Sequence, residues 1–139
     1  MYVVLVRHAE PVTTGTDPGL STPGKKRALA LGKMLIDSEI GAIFTSELRR
    51  TKETAAPLAT QSSVTPAVID NDPAAAAAEV RAAGKRVLVV GHTNTVPEII
   101  EALGGPAGVE IGHEEFDRLF VLRIPAEGAA SLMRLRYRG

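Results

Sequence analysis

An α/β fold, built on a mostly parallel sheet flanked by helices on both faces, is predicted by three features of the sequence. Tyr2-Val3-Val4-Leu5-Val6 is an apolar, strand-favouring run without polar alternation, the pattern of a strand covered on both faces. Up to Gly105 candidate strands alternate with candidate helices, as parallel strands joined by crossover helices require. The chain then closes with two apolar runs, Leu119 to Ile124 and Ser131 to Tyr137. They flank Pro125-Ala126-Glu127-Gly128-Ala129-Ala130, which reads as the turn of an antiparallel hairpin.

The first strand switches abruptly to Arg7-His8-Ala9-Glu10, which marks its carboxyl end, the end at which open α/β sheets bind ligands. Pro11 to Leu20 is rich in turn formers and hydroxyls and reads as a loop over that end, where Thr13 or Thr14 could touch a ligand. Ser21 or Thr22 caps the first helix, with Pro23 in its first turn, where the missing N–H does no harm. Ala28, Leu31, Gly32, Leu35 and Ile36 form its apolar stripe, opposite Lys25, Lys26, Lys33 and Asp37. Ala42-Ile43-Phe44-Thr45 is a second strand, and a helix capped by Ser46 follows, which Pro57 should kink or shorten. Val64 to Ile69 reads as a third strand, placed at a sheet edge because Pro66 cannot donate to a ladder. Asp72 caps and Pro73 opens an alanine-rich helix that Gly84 stops. Val87-Leu88-Val89-Val90 is a second buried strand ending in Gly91-His92-Thr93-Asn94-Thr95, and the helix after it carries Ile99, Ile100 and Leu103, with Pro97 in its first turn.

Composition narrows the function. At 139 residues, 45% hydrophobic and 23% charged, the chain has the profile of one globular domain spanning residues 1–139. Lys and Arg balance Asp and Glu at 16 each, so no net field draws it to nucleic acid or an anionic membrane. Aromatics are only 4%, too few for base-stacking platforms. The absence of cysteine removes disulfides, thiolate catalysis and thiolate metal ligation. No basic leader or membrane-length apolar run is present, so a cytoplasmic location is expected.

Arg7-His8, Arg50 and His92 each stand where a predicted strand ends, so a parallel sheet would gather them on one rim. Two guanidiniums with two imidazoles suit a phosphoryl dianion, because guanidinium forks hold its oxygens with fixed bidentate geometry. The helix starts after Ser46 and around Thr93 to Thr95 would add N–H groups and dipoles of the right sign. Arg49 and Arg50 are adjacent on one helix, hence about 100° apart, and only one of them can face the pocket.

Leu5-Val6-Arg7-His8-Ala9-Glu10, Ser46-Glu47-Leu48-Arg49-Arg50-Thr51-Lys52-Glu53-Thr54-Ala55 and Val90-Gly91-His92 together resemble the signatures of the histidine phosphatase superfamily. Leu20-Ser21-Thr22-Pro23-Gly24 with Arg27-Ala28 resembles a further block of that family, in which Gln is usual where Arg27 stands. The resemblance implies the three-layer phosphoglycerate-mutase-like fold and a phosphatase without cofactor or metal. It also implies that His8 is the nucleophile that becomes phosphorylated, with Arg7, Arg50 and His92 binding the phosphoryl group. Thr13 and Thr93 are added as candidate phosphate contacts. Neighbouring guanidiniums disfavour the protonated imidazole, and a backbone carbonyl would have to hold the other ring nitrogen of His8.

The resemblance runs out at the general acid, because the segment between Arg50 and His92 is short compared with larger family members that carry a Glu or Asp there. Glu10, Asp70 and Asp72 are the candidates. His113 has no partner motif and reads as a surface turn residue. Alternatives are a zinc site on His8, Glu10 and His92, a phosphate-binding module without turnover, a mutase, and a broad phosphomonoesterase. The expected substrate is a phosphorylated small molecule or a phosphoprotein. An open site and a missing acid favour phosphohistidine on a protein, whose imidazole leaves more readily than an alkoxide.

Overall fold

The computed structural model describes residues 1–139. Its six-stranded sheet has the order β3-β2-β4-β1-β5-β6. The strands are β1 (Tyr2–Arg7), β2 (Ala42–Thr45), β3 (Ala67–Val68), β4 (Arg86–Gly91), β5 (Arg118–Arg123) and β6 (Ser131–Arg136). β1, β2, β3 and β4 run parallel, whereas β5 pairs antiparallel with β1 and β6 with β5. The helices are α1 (Thr22–Leu35), α2 (Arg49–Ser62), α3 (Pro73–Ala83) and α4 (Thr95–Ala102). None is long and apolar enough to cross a membrane.

The apolar run of β1 is what a doubly covered strand demands. Successive side chains point to opposite faces, so Val3 and Leu5 join Val87, Val89, Phe120 and Leu122 in one cluster, under α3 and α4. Val4 and Val6 join Leu88, Val90 and Ile43 in the other, under α1 and α2. Each such side chain, almost fully buried, contributes about 1.5–3 kcal/mol relative to exposure. The register of β1 on β4 pairs Arg7 with Gly91 and therefore sets His8 beside His92. The helices leaving these neighbouring strands pack on opposite faces, which opens a crevice beyond the strand ends.

Caps read from sequence are observed at α1, where Ser21 Oγ accepts from Gly24 N at 3.3 Å, and at α3, where Asp72 Oδ2 accepts from Ala75 N at 3.0 Å. Four expectations change. Ser46 does not cap α2; its N-cap is Leu48, which makes no side-chain cap bond. Pro57 does not shorten α2, which continues to Ser62, because Leu58 and Ala59 beyond it are buried against the sheet and offset the lost backbone bond. The third strand is two residues long, at the predicted edge, since its exposed residues have only β2 to pair with. Ile36 leaves the apolar stripe: α1 ends at Leu35 in a 3₁₀ turn, and Ile36 is 39% exposed.

The loop after β1 is fastened from both ends. The Glu10 carbonyl accepts from Ser21 N and Ser21 Oγ at 2.9 and 3.0 Å, and Val12 N donates to Gly19 O at 2.9 Å. Gly24 lies so close to this carbonyl that a Cβ there would overlap the Glu10 oxygen. Gly24→Ala is therefore expected to destabilise the protein by about 1–3 kcal/mol, the cost of overpacking a tight contact. A urea midpoint equal to that of the wild type would show that the loop can yield.

Candidate active site

His8 is the first residue beyond β1 and is 5% exposed. Its backbone N–H continues the parallel ladder to Gly91 O at 2.9 Å, and its Nδ1 lies 2.8 Å from the Ala9 carbonyl. A carbonyl can only accept, so Nδ1 carries the proton of the neutral ring and Nε2 keeps a lone pair. Ala9 is held in turn: its N–H donates to Thr54 Oγ1 at 2.9 Å, and that hydroxyl donates to the Arg50 carbonyl at 2.7 Å. One hydroxyl of α2 thus ties the residue that orients His8 to the backbone that presents Arg50.

Arg7, the last residue of β1, is 6% exposed. Its guanidinium donates from one terminal nitrogen to the His113 and Glu115 carbonyls at 2.7 and 2.9 Å and lies 3.9 Å above the Phe116 ring. Nε is buried and has no partner within the chain. Burial, and then the nearby charge of Arg50, lowers the Arg7 pKa, with Glu10 opposing. The segment between α4 and β5 thus forms one wall. No sequence signal marked it, because its hydrogen bonds to Arg7 come from backbone carbonyls, which any residue provides, and the Phe116 ring stands alone without a motif. His113 is an exposed turn residue, as expected, but it also lines the cleft.

His92 follows β4, its ring 5.3 Å from that of His8. Its Nε2 is 2.9 Å from Ser46 Oγ, which also accepts from Leu48 N at 3.3 Å and lies 2.9 Å from Thr51 Oγ1. This is where Ser46 went instead of capping α2. Three residues before the helix, it is out of place for a cap and in place to hold an imidazole. The start of α2 offers fewer N–H groups to a ligand than expected, since Arg49 N donates to Asp17 Oδ1, and Thr51 N and Lys52 N donate to Leu48 O.

These groups line one cleft of about 530 Å³, together with Arg50 and Thr93. Arg49 points elsewhere, paired with Glu53 at 2.8 Å and 61% exposed, as the 100° separation requires. Thr13 is exposed and does not line the cleft, because the loop carries it outward between the paired ends Val12 and Gly19. Of the candidate acids, Asp70 lines the cleft, whereas Asp72 caps α3. Glu10 is held by Arg27, which bonds both carboxylate oxygens at 2.8 and 3.1 Å and donates to the Tyr137 carbonyl at 2.7 Å. Burial, the largest single cause, pushes the Glu10 carboxyl up, but the Arg27 hydrogen bonds, a backbone hydrogen bond and the charges of Arg27 and Arg7 together leave the pKa lowered. Arg27, standing where Gln was expected, is thus half of an ion pair. With Glu10 engaged there, the set His8, Glu10 and His92 is not assembled, and no three His, Asp or Glu side chains converge as a metal-holding group. Glu47 and Glu98 also line the cleft and were missed from sequence; Glu47 stands within the quoted signature, at a strand end, which is the signal that could have found it.

Burial, the largest cause, lowers the His8 pKa to about 4; the Ala9 carbonyl opposes, and Arg7, His92 and Arg50 add to the lowering. Burial, then Arg50 and Arg7, likewise lowers His92 to about 4. Both rings are neutral near pH 7. In the unfolded chain an imidazole titrates near 6.5, so between about pH 6.5 and 4 the unfolded state binds protons that the native state refuses, and stability falls as pH falls through that window. The urea midpoint of the wild type should therefore drop more steeply between about pH 7 and 4.5 than that of His8→Asn/His92→Asn. Parallel profiles would mean that the imidazoles titrate normally in the native state.

The sequence model described as histidine phosphatase superfamily (branch 1) matches residues 3–72. No curated protein sequence matches the chain. Among solved structures, the protein histidine phosphatase SixA complexed with tungstate is similar with a TM-score of 0.80 at 17% identity, over 98% of this chain and 97% of that one. A structure from Nakamurella multipartitia assigned as phosphohistidine phosphatase SixA gives a TM-score of 0.70 at 22% identity, over 99% and 95%. A mycobacterial glucosyl-3-phosphoglycerate phosphatase with inorganic phosphate gives 0.69 at 15%, over 99% and 97%. At these identities the structures speak for the shared fold, the three-layer arrangement expected from the sequence. The family model covers half of the chain, from β1 through α2 to the cap of α3, and so includes Arg7, His8 and Arg50; the chain belongs to the histidine phosphatase superfamily, branch 1.

Proposed function

We propose that residues 1–139 act as one phosphatase domain in which His8 Nε2 attacks the phosphorus of a phosphorylated substrate and carries the phosphoryl group as a covalent intermediate. The observation that carries this reading is the bond between His8 Nδ1 and the Ala9 carbonyl. It leaves Nε2 as a free base at neutral pH, amid two guanidiniums and a second imidazole. As the N–P bond forms, the bond from phosphorus to the leaving group breaks on the opposite side. Water then cleaves the N–P bond, releasing inorganic phosphate and restoring His8. Arg7 and Arg50 neutralise the phosphoryl oxygens, and His92 donates to one of them as charge redistributes, Ser46 holding its ring. Thr93 is a further contact, and Asp70 is the proposed acid that the cleft favours, since Glu10 and Asp72 are engaged elsewhere.

For the substrate we propose phosphohistidine on a protein. Two of the three carboxylates considered as acids are committed to structure, and an imidazole leaving group has least need of one. The likeness to structures assigned as phosphohistidine phosphatases supports the same choice. kcat/KM for a phosphohistidine protein should then exceed that for alkyl phosphates; a strong preference for one alkyl ester would point to a small-molecule phosphomonoesterase.

His8→Ala should abolish turnover and acid-labile phosphate labelling of the protein, and labelling that survives the change would sink the mechanism. Arg50→Ala should lower kcat/KM at least about a hundredfold, the scale of losing one preorganised donor, whereas Arg49→Ala should change it little. Equal losses from the two would place the wrong arginine in the site.

A further inference from the structure

Beyond its basic floor, the cleft has an acidic mouth. The charged side chains lining it are Arg7 and Arg50 on one side of the balance and Glu47, Asp70 and Glu98 on the other. The three carboxylates come from three places: the turn after β2, the turn before α3, and the first turn of α4. All three residues are exposed, and no cation pairs with any of them. Arg49, two residues from Glu47, is directed away to Glu53, and no Lys or Arg other than Arg7 and Arg50 lines the cleft.

The floor points to an anion independently of the mouth. Arg7 is more than nine-tenths buried, and its Nε has no partner within the chain, a costly state for a charged donor unless a ligand oxygen can reach it. A bound phosphoryl dianion balances the two guanidiniums. What remains of the ligand then meets an unbalanced field from three carboxylates.

Resting on the phosphatase reading of this cleft, we propose that its mouth selects phosphorylated substrates that carry a cationic group beside the phosphoryl group, and disfavours those that carry a second anion. On a protein this means a phosphorylated side chain flanked by lysine or arginine. Among small molecules it means amino-alcohol phosphates rather than phosphorylated carboxylic acids. Because the carboxylates are solvent-exposed, the preference is electrostatic, modest for each charge and sensitive to salt.

Phosphonates test this without turnover, since their C–P bond resists hydrolysis. Binding to the wild-type protein is measured by calorimetry at about pH 8, where the amine and carboxylate are both charged. The ligands are 3-aminopropylphosphonate, propylphosphonate and 2-carboxyethylphosphonate. The amine should bind at least about tenfold more tightly than the carboxylate at low salt, with propylphosphonate, whose tail is uncharged, between them, and the ratio should collapse near 1 M salt, where the Debye length is about 3 Å. It should also collapse in the variant Glu47→Gln/Asp70→Asn/Glu98→Gln. The Asp70→Asn change keeps a side-chain oxygen able to accept from Asp72 N, a bond Asp70 makes at 2.8 Å. Equal binding of the three ligands, a reversed order, or a ratio that survives the triple change would overturn the proposal. A clear ratio without hydrolysis of any phosphorylated compound would keep the acidic mouth and sink the phosphatase reading. Failure of every phosphonate to bind would sink both.

Discussion

The parallel pairing of β1 with β4 is the constraint on which the rest depends. Its register sets Arg7 against Gly91, so the next residue on each strand is a histidine, and the two rings come within 5.3 Å although 84 residues separate them in the chain. Both strands are apolar up to their last residue, over residues 3–6 and 87–90, and a slip of one residue would turn every side chain of β1 to the opposite face. The same burial that stabilises the sheet therefore sets the geometry of the candidate site.

Placing two imidazoles and a buried guanidinium at such a point costs desolvation, and the structure shows how the cost is met. The imidazoles stay neutral, lowered to about 4 by burial and by the nearby guanidiniums. Arg7 remains charged on two accepting carbonyls and the face of Phe116, which stabilise a cation without supplying an anion. A carboxylate partner would have neutralised Arg7 and weakened its pull on a phosphoryl group. The carboxylate nearest in sequence, Glu10, is instead taken by Arg27, which also binds the carbonyl of Tyr137 near the end of the chain. That ion pair separates the chemistry of the Arg7-His8 pair from the charge two residues on.

Threonine and serine hydroxyls carry the remaining alignment. Thr54 fastens Ala9, whose carbonyl selects the His8 tautomer, while Ser46, in the turn before α2, meets His92 and is itself met by Thr51. Thr51 and Thr54 are fully buried on the face of α2 that meets the sheet. One helix thus supplies an arginine to the cleft, the Thr54 hydroxyl that fastens Ala9 behind His8, and the Thr51 hydroxyl that backs Ser46 behind His92. These bonds couple three strand ends through a single rigid element.

What the sequence by itself determined was the α/β architecture, the edge position of β3, the caps of α1 and α3, the C-terminal hairpin, and the convergence of Arg7, His8, Arg50 and His92. All of these follow from local rules: apolar periodicity, turn and cap chemistry, and the tendency of parallel strands to present their carboxyl ends on one rim. Tertiary structure alone decided where Ser46, Glu10 and Thr13 went, that α2 would run through Pro57, and that the segment around His113 to Phe116 would wall the cleft. It also placed Glu47 and Glu98 at the mouth. Each of these depends on partners far away in sequence, such as Ser46 with His92, Glu10 with Arg27 and Arg7 with the carbonyls of His113 and Glu115. A hydroxyl or carboxylate that can cap locally will leave that role when a better-placed donor is brought to it by the fold, and no local pattern records which donor that will be.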